Sequence, residues 1–600
     1  MVLTRGAVPR ARAEGAVMHA EPTTIDDQRV DDLLRLMTLE EKVGSLLVAR
    51  VVCGADGTLW EGADGESPFG FHPTTELVRD RHVTHLTLMN PAPVADLARW
   101  GSAVRALAAD TRLGIPVSVA ADPVHGRVRN AQVAMSGGGF TVLPEPIGLA
   151  ATRDPELVRE IAGMIGSELR AAGLHIALHP MADLATEPRW ARVAGTFGED
   201  PQLAGELVAA YVAGLQDSGV AATVKHFPGG GPQRGGEDAH FERGAHTVYP
   251  GGRFEDHLAP FAAAVHAGVV RVMPGYAAPL GLDYAEVGFA FERRIITGLL
   301  RERLGFDGVV VTDFNIVHGM RLPRLGLELP VRAWGMLDAD PVERVARLFD
   351  AGVDQLGGED DPEPVLAAIE RGLVPVERID ESVRRVLREK ERLGLLADAA
   401  DRVAAVGDVA ERIAVPAHRA LARRAQSASI VALQGAAMEI TPTTRVYVEG
   451  IDARVLEGRA LVVDAPEEAD VAVLRIAAPY EAAEGLLEQG FHGGSLEFPS
   501  AEVARIAAIA ETVPTVVDVF LERAAVLTPL AALPIVLVGT FGVDDDVLWD
   551  AVSGGAAVTG RLPFDLPRSM SAVIDSREDV PFDTADPLFR CGAGLVWSSV

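Results

Sequence analysis

Eight short apolar runs, at 46–52, 85–90, 116–121, 174–179, 221–226, 269–274, 308–313 and 352–356, alternate with amphipathic stretches along the first two thirds of the chain. Runs without polar alternation fit strands covered on both faces, and therefore a parallel sheet. Eight of them, separated by helical segments, suit a closed (β/α)8 barrel better than an open doubly wound sheet. In such a barrel the residues just beyond the strand ends form the functional rim. Those positions hold Asp122, His179, Asp183, Lys225, His226, Met273, Tyr276 and Asp313. The set contains carboxylates, bases and an aromatic, but no cysteine and no metal-ligand spacing.

The fifth run opens the densest motif, KHFPGGGPQRGGEDAHF at 225–241. A cation and an imidazole at a strand end, followed by a glycine-rich loop, point to a polyhydroxylated ligand. Gly229, Gly230 and Gly231 can also be read as an anion cradle, but the Lys-Ser/Thr tail of a nucleotide loop is missing.

Around this barrel the chain divides into four parts. Residues 1–29 are polar, rich in alanine and arginine and aperiodic, and are expected to form a mobile arm. The barrel occupies 30–396, and a charged, alanine-rich linker follows at 397–428. A second α/β pattern fills 429–600, with strands expected at 445–448, 460–463, 471–476, 515–520 and 535–538 and a helix at 500–511. That pattern predicts an α/β sandwich domain.

Composition excludes some partners. With 85 acidic against 55 basic residues the net charge is −30, which repels phosphate backbones and anionic membranes. No nucleic acid or membrane partner is expected. No run is long enough for a membrane span, and the first residues lack the apolar core of a secretion signal. A cytoplasmic location is the resulting expectation. Cys53 and Cys591 are the only cysteines, so neither a disulfide framework nor a zinc site is suggested. Homo-oligomerisation is left open.

Several longer motifs carry a family resemblance. MTLEEKVGSLL (37–47), PRWARVAGTFGEDP (188–201), the opening KHFPGGG, GFDGVVVTDF (305–314), GVDQLGGE (352–359), SVRRVLREK (382–390), GRLPFDLPRSM (560–570) and PLFRCGAGLVW (587–597) occur in this order. Together they resemble glycoside hydrolase family 3. The resemblance implies a two-domain, β-glucosidase-like enzyme that takes a small β-glycoside or oligosaccharide and uses no cofactor or metal.

It also implies site residues. Retaining hydrolysis uses one group to attack the anomeric carbon and another to protonate the leaving oxygen. Asp313 matches the family's nucleophile. Asp122, Lys225, His226 and Tyr276 match sugar contacts, Met273 lines the pocket, and Arg192 and Arg189 compete for one arginine role. Phe314 stands where the family commonly has tryptophan, which keeps an aromatic face but loses an N–H donor.

For the proton donor the resemblance implies a second-domain glutamate, with His240 as the runner-up. In much of the family it is a glutamate from the second domain, and Glu481, Glu484 and Glu488 fall in the matching loop. Glu488 is preferred there because Phe491, His492 and glycines follow it. In a β-N-acetylglucosaminidase branch an aspartate-x-histidine pair does this work, and Asp238 and His240 reproduce that pair. With His240 as acid/base, a β-N-acetylglucosaminidase or a glycoside phosphorylase is the alternative activity; a catalytically silent sugar-binding homologue is the other. Departures from the family pattern lie at Gly195 and in the short stretch 324–334.

Overall fold

The computed structural model describes residues 25–62, 70–127, 129–130, 134–135, 138–322, 326–397, 409–485 and 488–599. Most of the expected arm, and residues 398–408 of the expected linker, lie outside the described residues.

Helix starts are written locally in the sequence. Thr38 caps the helix Leu39–Ser45 in a reciprocal capping box with Glu41. Three later helices, Pro155–Ala171, Pro201–Asp217 and Pro341–Ala351, each begin with proline behind an aspartate cap. The aspartate accepts an orphan amide, and proline needs none. These helices turn their apolar faces inward onto the sheet.

The sheet is the expected barrel. Its strands are β1 (Leu47–Val51), β2 (His85–Leu88), β3 (Ser118–Ala121), β4 (Ile176–Ala177), β5 (Ala221–Phe227), β6 (Arg271–Pro274), β7 (Val309–Val310) and β8 (Leu356–Gly357). They pair in parallel in the order β7-β6-β5-β4-β3-β2-β1-β8. A parallel bridge between Val311 and Gln355 closes the ring between β7 and β8. Val48, Ala120, Ile176, Leu178, Ala221, Val270, Met273 and Val311 fill its interior. Each expected run contains one strand, although β8 begins only where the 352–356 run ends. The side chain of Asp354, just ahead of it, is committed to three arginines.

Helix Pro416–Ser429 leads into the second domain. There, β9 (Val431–Gln434), β10 (Arg445–Glu449), β11 (Leu461–Val462), β12 (Val471–Ala477), β13 (Thr515–Phe520) and β14 (Ile535–Thr540) form one sheet in the order β9-β14-β13-β12-β10-β11. All pairs are parallel except β9 with β14. Strand β9 was not among the expected strands. The two domains share a core, because Ile147, Met181 and Trp190 of the barrel pack with Leu433, Leu521, Phe541 and Phe564. No described helix is long and apolar enough to cross a membrane.

Candidate active site

A cavity, open at its mouth, lies over the carboxyl ends of the barrel strands. Its lining includes Asp122, Arg192, Lys225, His226, His240, Met273, Tyr276, Asp313 and Phe314. Nine of the residues singled out in the sequence therefore meet in one place. Arg189 and Glu488 do not line it. Arg189 is held by Glu187 at 2.6 Å, and Glu488 by Arg243 at 3.0 Å.

Lys225 and His226 are consecutive in β5, yet both face the cavity. The pairing with β6 slips between Lys225↔Met273 and Phe227↔Pro274, and such a bulge turns adjacent side chains toward one face. Lys225 Nζ lies 3.2 Å from Asp122 Oδ1. With one N–H given to Asp122, the ammonium keeps two donors beside an acceptor-only carboxylate, a set that matches sugar hydroxyls.

His226 is locked from behind. Its Nδ1 donates to Asp183 Oδ2 at 2.7 Å, and its Nε2 accepts from Arg192 Nη1 at 3.0 Å. A guanidinium has no acceptor, so the proton sits on Nδ1. Burial, with Arg192 beside it, holds the imidazole below its ordinary pKa despite the opposing Asp183. The glycine loop supports the same carboxylate: Gly230 N–H donates to Asp183, while Gly229 N–H bonds to the His226 carbonyl. A Cβ on Gly231 would stand 2.0 Å from the Leu184 carbonyl. Gly230 and Gly231 let the loop pass against 183–184 and Gly229 against His257, and the amides of Gly229 and Gly230 are used inside the protein rather than held out to an anion.

Asp313 is only 9% exposed. Burial opposes its ionisation, but His226, His240, Lys225 and Arg192 together hold the carboxyl below its usual range. It therefore remains an anion, the form a nucleophile needs. His226 Nε2 lies 3.8 Å from Asp313 Oδ2. Tyr276 fixes the backbone beyond: its hydroxyl donates to the Phe314 carbonyl at 2.7 Å and accepts from the Phe314 N–H at 3.0 Å. Burial, then the nearby Asp313 charge, pushes that phenol up, so it keeps its proton.

Elsewhere in the lining, His240 Nδ1 donates to Asp238 Oδ1 at 2.6 Å, and Trp190 Nε1 donates to the other oxygen at 2.9 Å. Burial and Arg332 bring the imidazole down to about 4, against the pull of Asp238. The neutral ring thus carries its proton on Nδ1 and turns Nε2 away from Asp238. An aspartate-oriented imidazole of this kind can give and take a proton.

The sequence reading missed Arg50, Met89, Leu178, Asn315, Met320 and Arg332 in the lining. Arg50 had a signal, being the one charge inside the first apolar run, and it binds Asn315 Oδ1. Arg332, which donates to Tyr276 Oη at 3.3 Å, lies in an aperiodic loop that gave none.

Comparison with known proteins agrees with this geometry. The family model described as glycosyl hydrolase family 3 N terminal domain matches residues 38–389. A probable beta-glucosidase C from Aspergillus flavus is 41% identical, over 99% of this chain and 95% of that protein. A periplasmic beta-glucosidase/beta-xylosidase from Dickeya chrysanthemi is 36% identical, over 95% and 90%. Among solved structures, a β-glucosidase from Listeria innocua in complex with isofagomine shares the fold, with a TM-score of 0.75 at 22% identity over 95% of this chain and 83% of that one. With a barrel rim, an ionised aspartate at the end of β7 and relatives aligned across both domains, the chain belongs to glycosyl hydrolase family 3 and is a glycoside hydrolase.

Proposed function

We propose that the enzyme is an exo-acting, β-glucosidase-like hydrolase in which Asp313 is the nucleophile and His240, oriented by Asp238, is the acid/base. The reading rests on one observation: His240 and Asp313 line the same cavity, together with Asp122, Arg192, Lys225 and His226. Glu488 has no part in it, since its carboxylate is engaged by Arg243 outside that lining.

In the first step an Asp313 oxygen bonds to the anomeric carbon as the glycosidic C–O bond breaks. The leaving oxygen takes the proton from Nε2 of His240 in its protonated, imidazolium form, which leaves the neutral ring with its proton on Nδ1. In the second step neutral His240 takes a proton from water, and the water oxygen displaces the Asp313 carboxylate from the sugar. His240 ends protonated, ready for the next turnover. Asp122, Lys225, Arg192 and His226 hold the non-reducing sugar in this scheme, and Met273 and Phe314 shape the walls.

Trapping with 2,4-dinitrophenyl 2-deoxy-2-fluoro-β-glucoside, followed by peptide mapping, tests the reading. A label on the Asp313 peptide supports it; a label on another carboxylate overturns it. Aryl β-glucoside, β-xyloside and β-N-acetylglucosaminide, compared by kcat/KM, name the glycone, with the glucoside expected to lead. A cytoplasmic location and a small β-glycoside or oligosaccharide as the substrate belong to the same proposal. A Dickeya relative is named periplasmic, and cell fractionation decides the location.

A further inference from the structure

The second domain reaches the acid/base dyad, and among the described residues it places no charged group in the cavity lining. Its loop between β12 and the helix Ser500–Thr512 is closed by a bridge between Glu481 and Gly493, and it carries Phe491. That ring is buried, with its centroid 5.0 Å from the His240 ring and 5.2 Å from Phe241. His240 also meets Tyr276 edge-on at 5.1 Å. The imidazole is therefore in contact with both a barrel tyrosine and a second-domain phenylalanine, while Asp238 holds its Nδ1.

The same domain also supports the aspartate. Arg523, fully buried, donates to the Gly494 carbonyl at 3.1 Å and to the Pro479 carbonyl, at the two ends of the Phe491 loop. Its Nη1 also donates at 3.0 Å to the carbonyl of Arg189. The next residue is Trp190, whose indole N–H holds Asp238. Outside, Glu488 grips Arg243 at 3.0 Å and pins the loop to the barrel.

We infer that Phe491 is a positioning residue for proton transfer, and that the second domain serves the reaction by holding the His240 ring rather than by supplying the proton donor. The inference rests on the assignment of His240 as acid/base. One edge-on and one tilted ring contact restrain the ring plane, and a hydrogen bond at Nδ1 fixes its rotation. Nε2 is then aimed at one place above the sugar, which matters because general acid catalysis depends on a short, directed proton path. Without Phe491 the ring keeps its aspartate but loses one wall.

The test uses the full-length enzyme and two substrates, phenyl β-glucoside, whose leaving group needs a proton, and 2,4-dinitrophenyl β-glucoside, whose leaving group does not. The ratio of their kcat/KM values does not depend on the fraction of folded enzyme, so it survives partial misfolding. Phe491→Ala is expected to lower kcat/KM on the phenyl glucoside by about tenfold or more, and on the dinitrophenyl glucoside by less than about threefold. Phe491→Leu, which restores most of the wall, is expected to recover most of the ratio. Equal losses on both substrates, or no loss, would overturn the inference.

His240→Ala separates the two levels of the argument. It is expected to lose roughly 100-fold to 10,000-fold on the phenyl glucoside, and azide is expected to restore turnover of the dinitrophenyl glucoside. If it shows this behaviour while Phe491→Ala keeps the wild-type ratio, only the positioning role fails. If His240→Ala loses equally on both substrates and azide does nothing, the acid/base assignment fails and the role of Phe491 falls with it.

Discussion

Asp183 stands behind His226 with Oδ2 2.7 Å from Nδ1, and its two oxygens also take the backbone N–H of His226 and of Gly230. Three donors thus engage both oxygens of one buried carboxylate. Burial works against its charge, but His226, Gly230 and Arg192 keep the carboxyl ionised. Asp183→Asn replaces one oxygen by a donor, so at least one N–H loses its partner at a cost of about 1–3 kcal/mol. The imidazole is also freed to move its proton to Nε2, which would then oppose the Arg192 guanidinium. The expected outcome is a drop in kcat/KM of roughly tenfold or more together with a lower denaturation midpoint. Unchanged kinetics would show that the His226 tautomer is irrelevant to the reaction.

The two carboxylate–imidazole pairs differ in what the sequence revealed. Lys225, His226 and Asp313 were legible because they end apolar runs, where the barrel geometry places every side chain on the rim. Asp238 and His240 were legible only as a family motif, since they sit in a loop with no periodicity. Phe491 was legible only as part of the second-domain loop behind Glu488, and Arg332 not at all, because their roles depend on how two distant segments dock. The barrel was readable for the same reason as its rim: its strands are apolar throughout. Strand β9 was overlooked although Val431, Ala432 and Leu433 are apolar, because a four-residue run following a helix gives too little pattern to tell strand from helix end.

The low imidazole pKa of His240 gives the two chemical steps opposite pH dependence. As the acid it must be protonated, and that form disappears tenfold per unit above about 4. Phenyl β-glucoside kcat/KM is therefore expected to fall as pH rises through about 4, well below imidazole's ordinary 6.5. As the base it must be neutral, so hydrolysis of the glycosyl-enzyme rises through the same pH and is level near neutrality. Pre-steady-state release of 2,4-dinitrophenol separates the steps. An alkaline limb for the phenyl glucoside that persists in His240→Ala would assign the limb elsewhere.

Acid should also weaken the fold. Burial brings His85, His175 and His179 down to about 3, with Lys390 adding to the effect at the first two and His125 at the third. Between about 6.5 and 3 the unfolded chain binds protons at these positions and the folded chain does not. Stability is thus fully present above the unfolded value and is lost as pH falls through that window. The loss is expected to be on the order of a few kcal/mol. Urea denaturation at pH 7 and at pH 5 checks the sign; a higher midpoint at pH 5 would contradict it.

Gly357 keeps the nucleophile's neighbour in place. A Cβ there would lie 2.3 Å from the Thr312 carbonyl and 2.8 and 3.0 Å from the Phe314 ring. Its amide accepts no slack either, since it donates to Thr312 Oγ1 at 2.8 Å. Gly357→Ala must push β8 away from the end of β7 or displace Phe314. Overpacking of this kind costs about 1–3 kcal/mol, and the displaced segment flanks Asp313. Activity is expected to fall further than stability does, which kinetics at matched folded fractions would reveal. Wild-type turnover would mean that the ring moves without disturbing the nucleophile.

Asp354 tests the opposite end of the same strand. It is fully buried and takes Arg301 at 2.6 Å, Arg385 at 3.1 Å and Arg378 at 3.4 Å, with Ser382 Oγ at 2.8 Å and the Val310 amide at 2.9 Å. The carboxylate thus joins β7, the approach to β8 and the helix Val376–Arg392, which closes the barrel where its ring is narrowest in hydrogen bonds. Asp354→Ala leaves three largely buried guanidiniums facing one another, and breaking a buried pair in this way costs about 3–5 kcal/mol. Val310 is three residues from Asp313, on the side of the sheet away from the cavity mouth. The variant is expected to lose stability by that amount while the molecules that remain folded keep a near-normal KM. Denaturation curves and kinetics at low temperature measure the two separately. A loss below about 1 kcal/mol would mean that water satisfies the arginines as well as Asp354 does.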